Sequence, residues 1–453
     1  MEKVNEFAKN PRKALFRLAW PIMLATIVQT LYNVVDTAYV GRLGEEALAA
    51  ITFSFPLFFI LIALNAGINT GMSSRIARFL GENKKKEAEN TAMHGLIISS
   101  AVAILIAIIA ISFLRQILAF LGARGNVLEF AVDYMNIIFA GSVFMFLAYV
   151  FNGIFSAQGN TKTPMKIMIA STLINVALDP FFIFPRVLGI PGLGLGIQGA
   201  ALATVISFFT GLAIFMAATR KVSYLHVHRR NFHFSLPIIR EIFSVGLPSS
   251  FTMLLLSIYI MFLNRVLVTF GTSHVAMFGI VSRLESVAMM PVVGLAIATL
   301  TLVGMFYGAG KYNLVSEVSW FAIRSSLYIT ASVGIVFFLA PKFFFDIFTS
   351  EASILAIGSP YLRLDVLTFP LMALTMLAAR IMQAMGKGLP GMILQIIRVF
   401  VVAVPLAYVF VFIFEFSYIS VAVAMISGGA ASTATGIAWL VIKLKKIEKK
   451  PIS

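Results

Sequence analysis

The stretch ALFRLAWPIMLATIVQTLYNVVDTAYV, residues 14–40, is an apolar run that carries a single carboxylate, Asp36, near its end. A helix needs about 20 predominantly apolar residues to cross a bilayer, and this run is long enough. Runs of the same kind recur at approximately 46–74, 92–114, 131–157, 163–184, 197–219, 238–268, 275–304, 317–340, 360–385, 390–413 and 417–442, twelve in all. They are continuous apolar blocks, without the alternation that marks a membrane β-strand, so helices are the expected spanning structure. With 60% of the chain hydrophobic and only 12% charged, a soluble domain is excluded. The expected class is all-α: a polytopic membrane protein of twelve transmembrane helices.

A net charge of +16 would suggest nucleic acid in a soluble protein. Here the basic residues fall on alternate loops. Lys3, Lys9, Arg12, Lys13 and Arg17 precede the first run; Arg75, Arg78 and Lys84 to Lys86 follow the second; Lys162 and Lys166 follow the fourth. The series continues through Arg220, Lys221, Arg229, Arg230 and Arg240, then Lys311, then Arg380 and Lys387, and ends with Lys443, Lys445, Lys446, Lys449 and Lys450. The opposite loops hold only Arg42, Arg115, Arg124, Arg186 and Lys342. By the positive-inside bias both termini are cytoplasmic, the span count is even, and the charge needs no nucleic-acid partner. Absence of cysteine removes disulfides, iron–sulfur clusters and thiolate zinc sites. The first run is too long for a signal peptide and has no convincing cleavage site, so it is expected to be a mature helix.

Sliding the sequence against itself by 227 residues superposes Pro21 on Pro248, Gly44 on Gly271, Gly67 on Gly294, Gly81 on Gly308, Tyr134 on Tyr361 and Gly159 on Gly386. One offset held through four helices is an internal repeat. Each copy has six helices, so both enter the membrane from the same side, and two pseudo-symmetric six-helix bundles are expected. The N-terminal lobe would be 1–218 and the C-terminal lobe 241–453, joined by the basic linker TRKVSYLHVHRRNFHFSLPIIR, 219–240. Such a pair suits a transporter that rocks between inward-open and outward-open states.

The acids break the symmetry. Asp36 meets Leu263 under the offset, and Asp179, after a slip that sets Pro180 on Pro405, meets Val404. Tyr32 and Asn33 lie four and three residues before Asp36, and Asn175 lies four before Asp179, so each acid shares a helix face with hydrogen-bonding groups. An ionised carboxylate at bilayer depth costs at least a few kcal/mol; such groups are paired, solvated by an internal pocket, or protonated part of the time. Two plainer readings stand beside a shared cavity: Asp36 pairs with Arg42 at the interface, or Asp179 caps the loop beyond Pro180.

The segments WPIMLATIVQTLYNVVDTAYVGRLGEEALAA (20–50), INVALDPFFIF (174–184) and QGAALAT (198–204) resemble the multidrug and toxic compound extrusion family, and the similarity covers essentially the whole chain. Within it the chain is most similar to the branch of DNA-damage-inducible protein F and archaeal members. The resemblance implies a secondary antiporter in the cell membrane that exports amphipathic, often cationic, organic compounds in exchange for H+ or Na+. It implies no cofactor and no bound metal, and a protein acting as a monomer. Carried over by motif, Asp36 is the first-helix carboxylate that couples transport, Asp179, Asn175 and Thr204 complete the ion pocket, Tyr32, Tyr134 and Asn152 line it, and Pro21 is the hinge. The family's other branch has an acid on the seventh helix for sodium; none occurs between 246 and 268.

Other features have plainer readings. GLGIQG, 194–199, matches G-x-G-x-x-G but lies at a turn between two membrane helices, where no Rossmann strand is expected. His226, His228 and His233 fit a solvated basic loop better than a metal site. Arg283, Glu285, Arg363, Asp365 and Arg398 in the second half are expected to pair with one another. A flippase for lipids or lipid-linked sugars is the alternative function, but it calls for a basic cleft. An intramembrane enzyme would need an HExxH or GxGD constellation, which the spans lack.

Overall fold

The computed structural model describes residues 2–227 and 232–449; His228, Arg229, Arg230 and Lys450 of the sequence reading lie outside them. The elements in order are a short helix α1 (Glu2–Lys9), then α2 (Pro11–Gly41), α3 (Glu45–Gly81), α4 (Lys85–Phe120), α5 (Gly125–Ala157), α6 (Lys162–Ile183), a two-rung hairpin β1 (Arg186–Val187) and β2 (Ile190–Pro191), and α7 (Ile197–Val222). There follow α8 (Leu236–Leu267), α9 (Thr272–Gly308), α10 (Tyr312–Leu339), the short α11 (Pro341–Asp346), α12 (Ala352–Asp365), α13 (Thr368–Ala384), α14 (Leu389–Ile396), α15 (Val404–Tyr408) and α16 (Ile419–Glu448). Eleven helices among the described residues are long and apolar enough to span a membrane, and α12 with α13, bent by 43° at their junction, are so when taken together, which makes twelve if the pair is one span. The expected run at 360–385 thus begins inside α12 and turns at residues 366–367. Between α14 and α15 and again at Val409–Ile413 the helix widens to i→i+5 turns. Pro405, which has no N–H to donate and crowds the carbonyl four residues back, sits between the two widened stretches.

The termini of the helices follow local chemistry. Glu45 and Glu46 occupy the first turn of α3 and Arg78 its last, each complementing the helix dipole. Gly44 and Gly271, equivalent under the repeat, both take positive φ before the next helix. Pro21 and Pro248, also equivalent, lie inside α2 and α8 without ending them.

Contacts divide the chain into two compact units. The N-terminal unit is Leu24–Ile76 with Lys84–Gly246, and the C-terminal unit is Met1–Met23, Ala77–Asn83 and Leu247–Ser453. In the N-terminal unit α5 packs against α4 and α7, and α6 against α7. In the C-terminal unit α9 packs against α10, α12 and α13, and α13 against α16. Gly81 and Gly308, the repeat-related pair, meet inside the latter: a Cβ on Gly81 would lie 2.1 Å from the Met305 carbonyl oxygen, and one on Gly308 2.0 Å from that of Arg78. Only glycine permits so close a backbone crossing.

The described part of the linker is fastened to the N-terminal unit by buried polar side chains. Glu89 Oε1 accepts the His226 N–H at 3.0 Å, Asn90 Oδ1 that of His233 at 3.2 Å, and His94 Nε2 that of Ser235 at 3.1 Å. Because His94 Nε2 accepts a backbone donor while Nδ1 faces the Asn90 carbonyl at 2.9 Å, the ring is held as the neutral Nδ1–H tautomer. Gln158 Oε1 accepts from Tyr224 N–H (2.8 Å) and Leu225 N–H (3.3 Å). Two of the linker histidines therefore belong to a structural strap; among the described residues no group of His, Asp and Glu is arranged to hold a metal.

Candidate functional site

Four helices of the N-terminal unit place polar residues around one cavity of about 230 Å³. From α2 come Tyr32, Asn33 and Asp36, and one turn earlier Gln29, which the sequence reading missed although its spacing of seven from Asp36 puts it on the same face. From α5 come Tyr134 and Asn152, from α6 Asn175, and from α7 Thr204. Tyr134 and Asn152 are eighteen residues apart on one helix, so the residues that line the cavity are spread over about 27 Å of α5.

All the transferred cavity residues except Pro21 and Asp179 line this space. Tyr32 Oη lies 3.5 Å from Thr204 Oγ1, which links α2 to α7. Asn152 Nδ2 donates to Met168 Sδ at 3.0 Å and its Oδ1 accepts from Ser156 at 3.4 Å. Asp179 is set one layer back: fully buried within α6, it accepts from Asn175 Nδ2 at 3.4 Å, and Asn175 is the residue that faces the cavity. Pro21 is buried within α2, ten residues into the helix.

Neither plainer reading of the acids holds among the described residues. Asp36 has no hydrogen-bond partner at its buried Oδ1, and no ion pair with Arg42 forms. Asp179 sits inside α6, which continues past Pro180 to Ile183, and so caps no loop. One oxygen of each acid and Asn175 Oδ1 are buried without a partner, and the two carboxylates are near enough to repel one another. A buried charge in this condition is costly, and it draws a cation or a proton to the site. The apolar part of the wall is Phe58, Ile62, Met145, Ile167, Phe208 and Phe215. No lining residue is lysine or arginine.

In the C-terminal unit the expected pairing of charges is not realised. Asp365 is fully buried with both oxygens unpartnered, Arg398 Nε is likewise unpartnered, and the Arg398 guanidinium lies 5.9 Å from the centre of the Tyr259 ring. Glu285, Asp365 and Arg398 interact through space without a contact ion pair. Arg363 turns outward, over the Phe338 ring and toward its carbonyl. The spacing of these charges along the sequence gave no distance across helices, which is why pairing was expected and proximity found.

The G-x-G-x-x-G stretch packs backbone on backbone. Leu193, Leu195 and Gly196 N–H donate to the carbonyls of Phe181, Phe182 and Ile183, and a Cβ on Gly199 would lie 2.4 Å from the Phe182 oxygen. The glycines let the hairpin loop fold back on the end of α6. The hairpin before α7 is two antiparallel rungs, a strand the sequence did not reveal and unlike the parallel strand a dinucleotide site needs.

The family profile described as MatE matches residues 21–181 and 248–409. The chain is 28% identical to the probable multidrug resistance protein YoeA of Bacillus subtilis strain 168, over 86% of this chain and 84% of that protein. It is similar to the crystal structure of MATE in the bent conformation, with a TM-score of 0.93 and 31% identity, covering 99% of both chains. It is similar to that of MATE in the straight conformation with a TM-score of 0.91 and 32% identity, covering 97% of both.

Proposed function

The chain belongs to the MatE family of membrane transporters, and from that premise we propose that it is a secondary antiporter exporting amphipathic organic cations, coupled through the carboxylates of its N-terminal half. The observation that carries this reading is the cavity in which Asp36, and Asp179 behind Asn175, present unpartnered oxygens with no basic residue on the wall. With the acids deprotonated, the cavity favours a cation held by charge and by the surrounding aromatic and aliphatic side chains. Proton or sodium binding cancels that charge and removes the reason for the organic cation to stay. A ligand shifts a conformational equilibrium only through different affinity for its two states, and the coupling ion acts in this way when the surroundings of Asp36 differ between them. Similar proteins are described in bent and straight conformations; in this reading the element that changes here is α2, with Pro21 inside it as the hinge. In this reading Tyr32, Tyr134 and Asn152 contact substrate, while Asp36, Asp179, Asn175 and Thr204 hold the ion. Residues 1–218 and 241–453 act as the two lobes about the 219–240 linker, with both termini cytoplasmic, in the cell membrane and as a monomer.

The test is reconstituted transport of a fluorescent organic cation under a pH gradient and, separately, a sodium gradient. Acceleration by one gradient, lost in Asp36→Asn, is expected. Transport indifferent to both gradients would overturn ion coupling and favour a flippase.

A further inference from the structure

A second cavity of about 460 Å³ lies beside the first, where α4, α5 and α7 meet the start of the linker. Its walls are apolar: Met93 and Leu96 of α4, Phe151 of α5 and Met216 of α7. Its polar groups are Thr219, whose hydroxyl donates to the Phe215 carbonyl, Arg220 in the last turn of α7 and His226 of the linker, and no acid lines it. Lys221 is exposed beside Arg220, and the acid close by, Glu89, lies outside the lining.

The cavity is built by the strap. His226 is fixed over it through its N–H bond to Glu89, and the two preceding residues through Gln158, both acceptors being at least 96% buried (Glu89 4% and Gln158 2% exposed). Glu89 is thus occupied by the linker backbone and by Lys85 at 3.8 Å. The outer wall belongs to the lipid-facing surface: Met216 is 51% and Ile97 46% exposed, and α4 continues outward with exposed Ile104, Leu105 and Ile108. Phe151 stacks on Phe215 with centroids 6.3 Å apart, and Phe215 lines the first cavity, so the two spaces are distinct and share an aromatic wall.

An apolar slot open toward lipid with a cationic rim selects an amphiphile with an anionic head. An organic cation of the kind the first cavity suits is repelled at Arg220. We propose that this cavity binds one anionic phospholipid of the adjoining leaflet, an acyl chain lying along Met93, Leu96, Phe151 and Met216 and the phosphate between Arg220 and His226. Basic pockets between membrane helices take acidic lipid heads by the same combination of charge and apolar contact.

The proposal is independent of the transport reading and is tested without it. The purified full chain is mixed with phosphatidylglycerol or phosphatidylcholine in detergent, and bound lipid is counted by native mass spectrometry. A single tightly retained phosphatidylglycerol is expected in preference to phosphatidylcholine. Arg220→Gln is expected to reduce it about fivefold, the worth of one cation near a lipid head. Lys221→Gln, on the same turn and outside the lining, is expected to leave it unchanged. In a chain whose three tryptophans, Trp20, Trp320 and Trp439, are replaced by phenylalanine, Leu96→Trp fluorescence is expected to be quenched by brominated-chain phosphatidylglycerol and not by inorganic phosphate. Equal retention of the two lipids, equal loss in Arg220→Gln and Lys221→Gln, or an unquenched tryptophan would overturn it.

Discussion

The two units bury acids in different ways. In the N-terminal unit Asp36 faces a cavity and Asp179 reaches the same space through the Asn175 amide. In the C-terminal unit Asp365 is fully buried, as Asp179 is, while Asp36 is half-buried; its own helix gives Tyr361 and Leu362 to an apolar core, and Glu285 and Arg398 act on it through space. Asp365 differs from Asp36 both in burial and in access. A carboxylate that faces a cavity is suited to exchanging a cation, whereas one sealed in the interior with an arginine acting only through space is not.

The comparison breaks most readily at Arg398. Replacing it by methionine keeps the volume and removes the cation that acts through space on Asp365 and Glu285, and thermal unfolding in detergent is expected to show a loss of stability below the ~3–5 kcal/mol of breaking a contact pair. Joining it with Asp365→Leu is expected to recover most of that loss; a single variant as stable as the parent would show that the arginine compensates nothing. Asp36→Asn removes a charge with an unpartnered buried oxygen, so unfolding is expected to show no loss of stability, yet ion-driven exchange is expected to fall at least ~100-fold, about 2.7 kcal/mol of coupling. The reverse outcome at these two sites, stability lost at residue 36 and transport lost at residue 398, would invert the assignment of roles.

Smaller effects sharpen the picture inside the N-terminal cavity. Asn175→Ala removes the amide between Asp179 and the cavity, and a hydrogen bond to a charged group is worth about 1.5–3 kcal/mol; a roughly tenfold drop in exchange is expected in the proteoliposome assay, with a matching change on Asn175→Asp only in its ion dependence. Tyr32→Phe deletes a long contact to Thr204, and its cost is expected to stay below about 1 kcal/mol, less than fivefold in rate. A Tyr32→Phe effect as large as that of Asp36→Asn would make the hydroxyl part of the ion site itself.

Much of this was legible before any coordinates. The span boundaries follow hydropathy closely because a helix in lipid must satisfy its own backbone, so the expected run at 163–184 and the observed Lys162–Ile183 differ by a residue at each end. The faces of α2 and α6 were legible because helical spacing fixes neighbours three and four residues apart, and by the same rule Gln29 was readable and overlooked. The tertiary level was not legible. Helical periodicity cannot tell that Asp179 stands behind Asn175 instead of beside it, nor that α12 and α13 bend by 43° within one expected run. It cannot say that Glu89, Asn90, His94 and Gln158 wait for linker backbone that is over sixty residues away from the nearest of them.

By itself the sequence determined what lipid demands of a chain: which segments cross, that they do so as helices, where the charges that bias their orientation lie, and which acids one half has and the other lacks. Those are properties of single segments, set by transfer free energies and by a fixed number of residues per turn. The tertiary structure alone decided which polar faces share a cavity, which acid is accessible and which is sealed, and that the linker closes a second, basic-rimmed pocket. These depend on how side chains of different helices fill the space between them, and close packing couples residues far apart in sequence with no local signature to announce it.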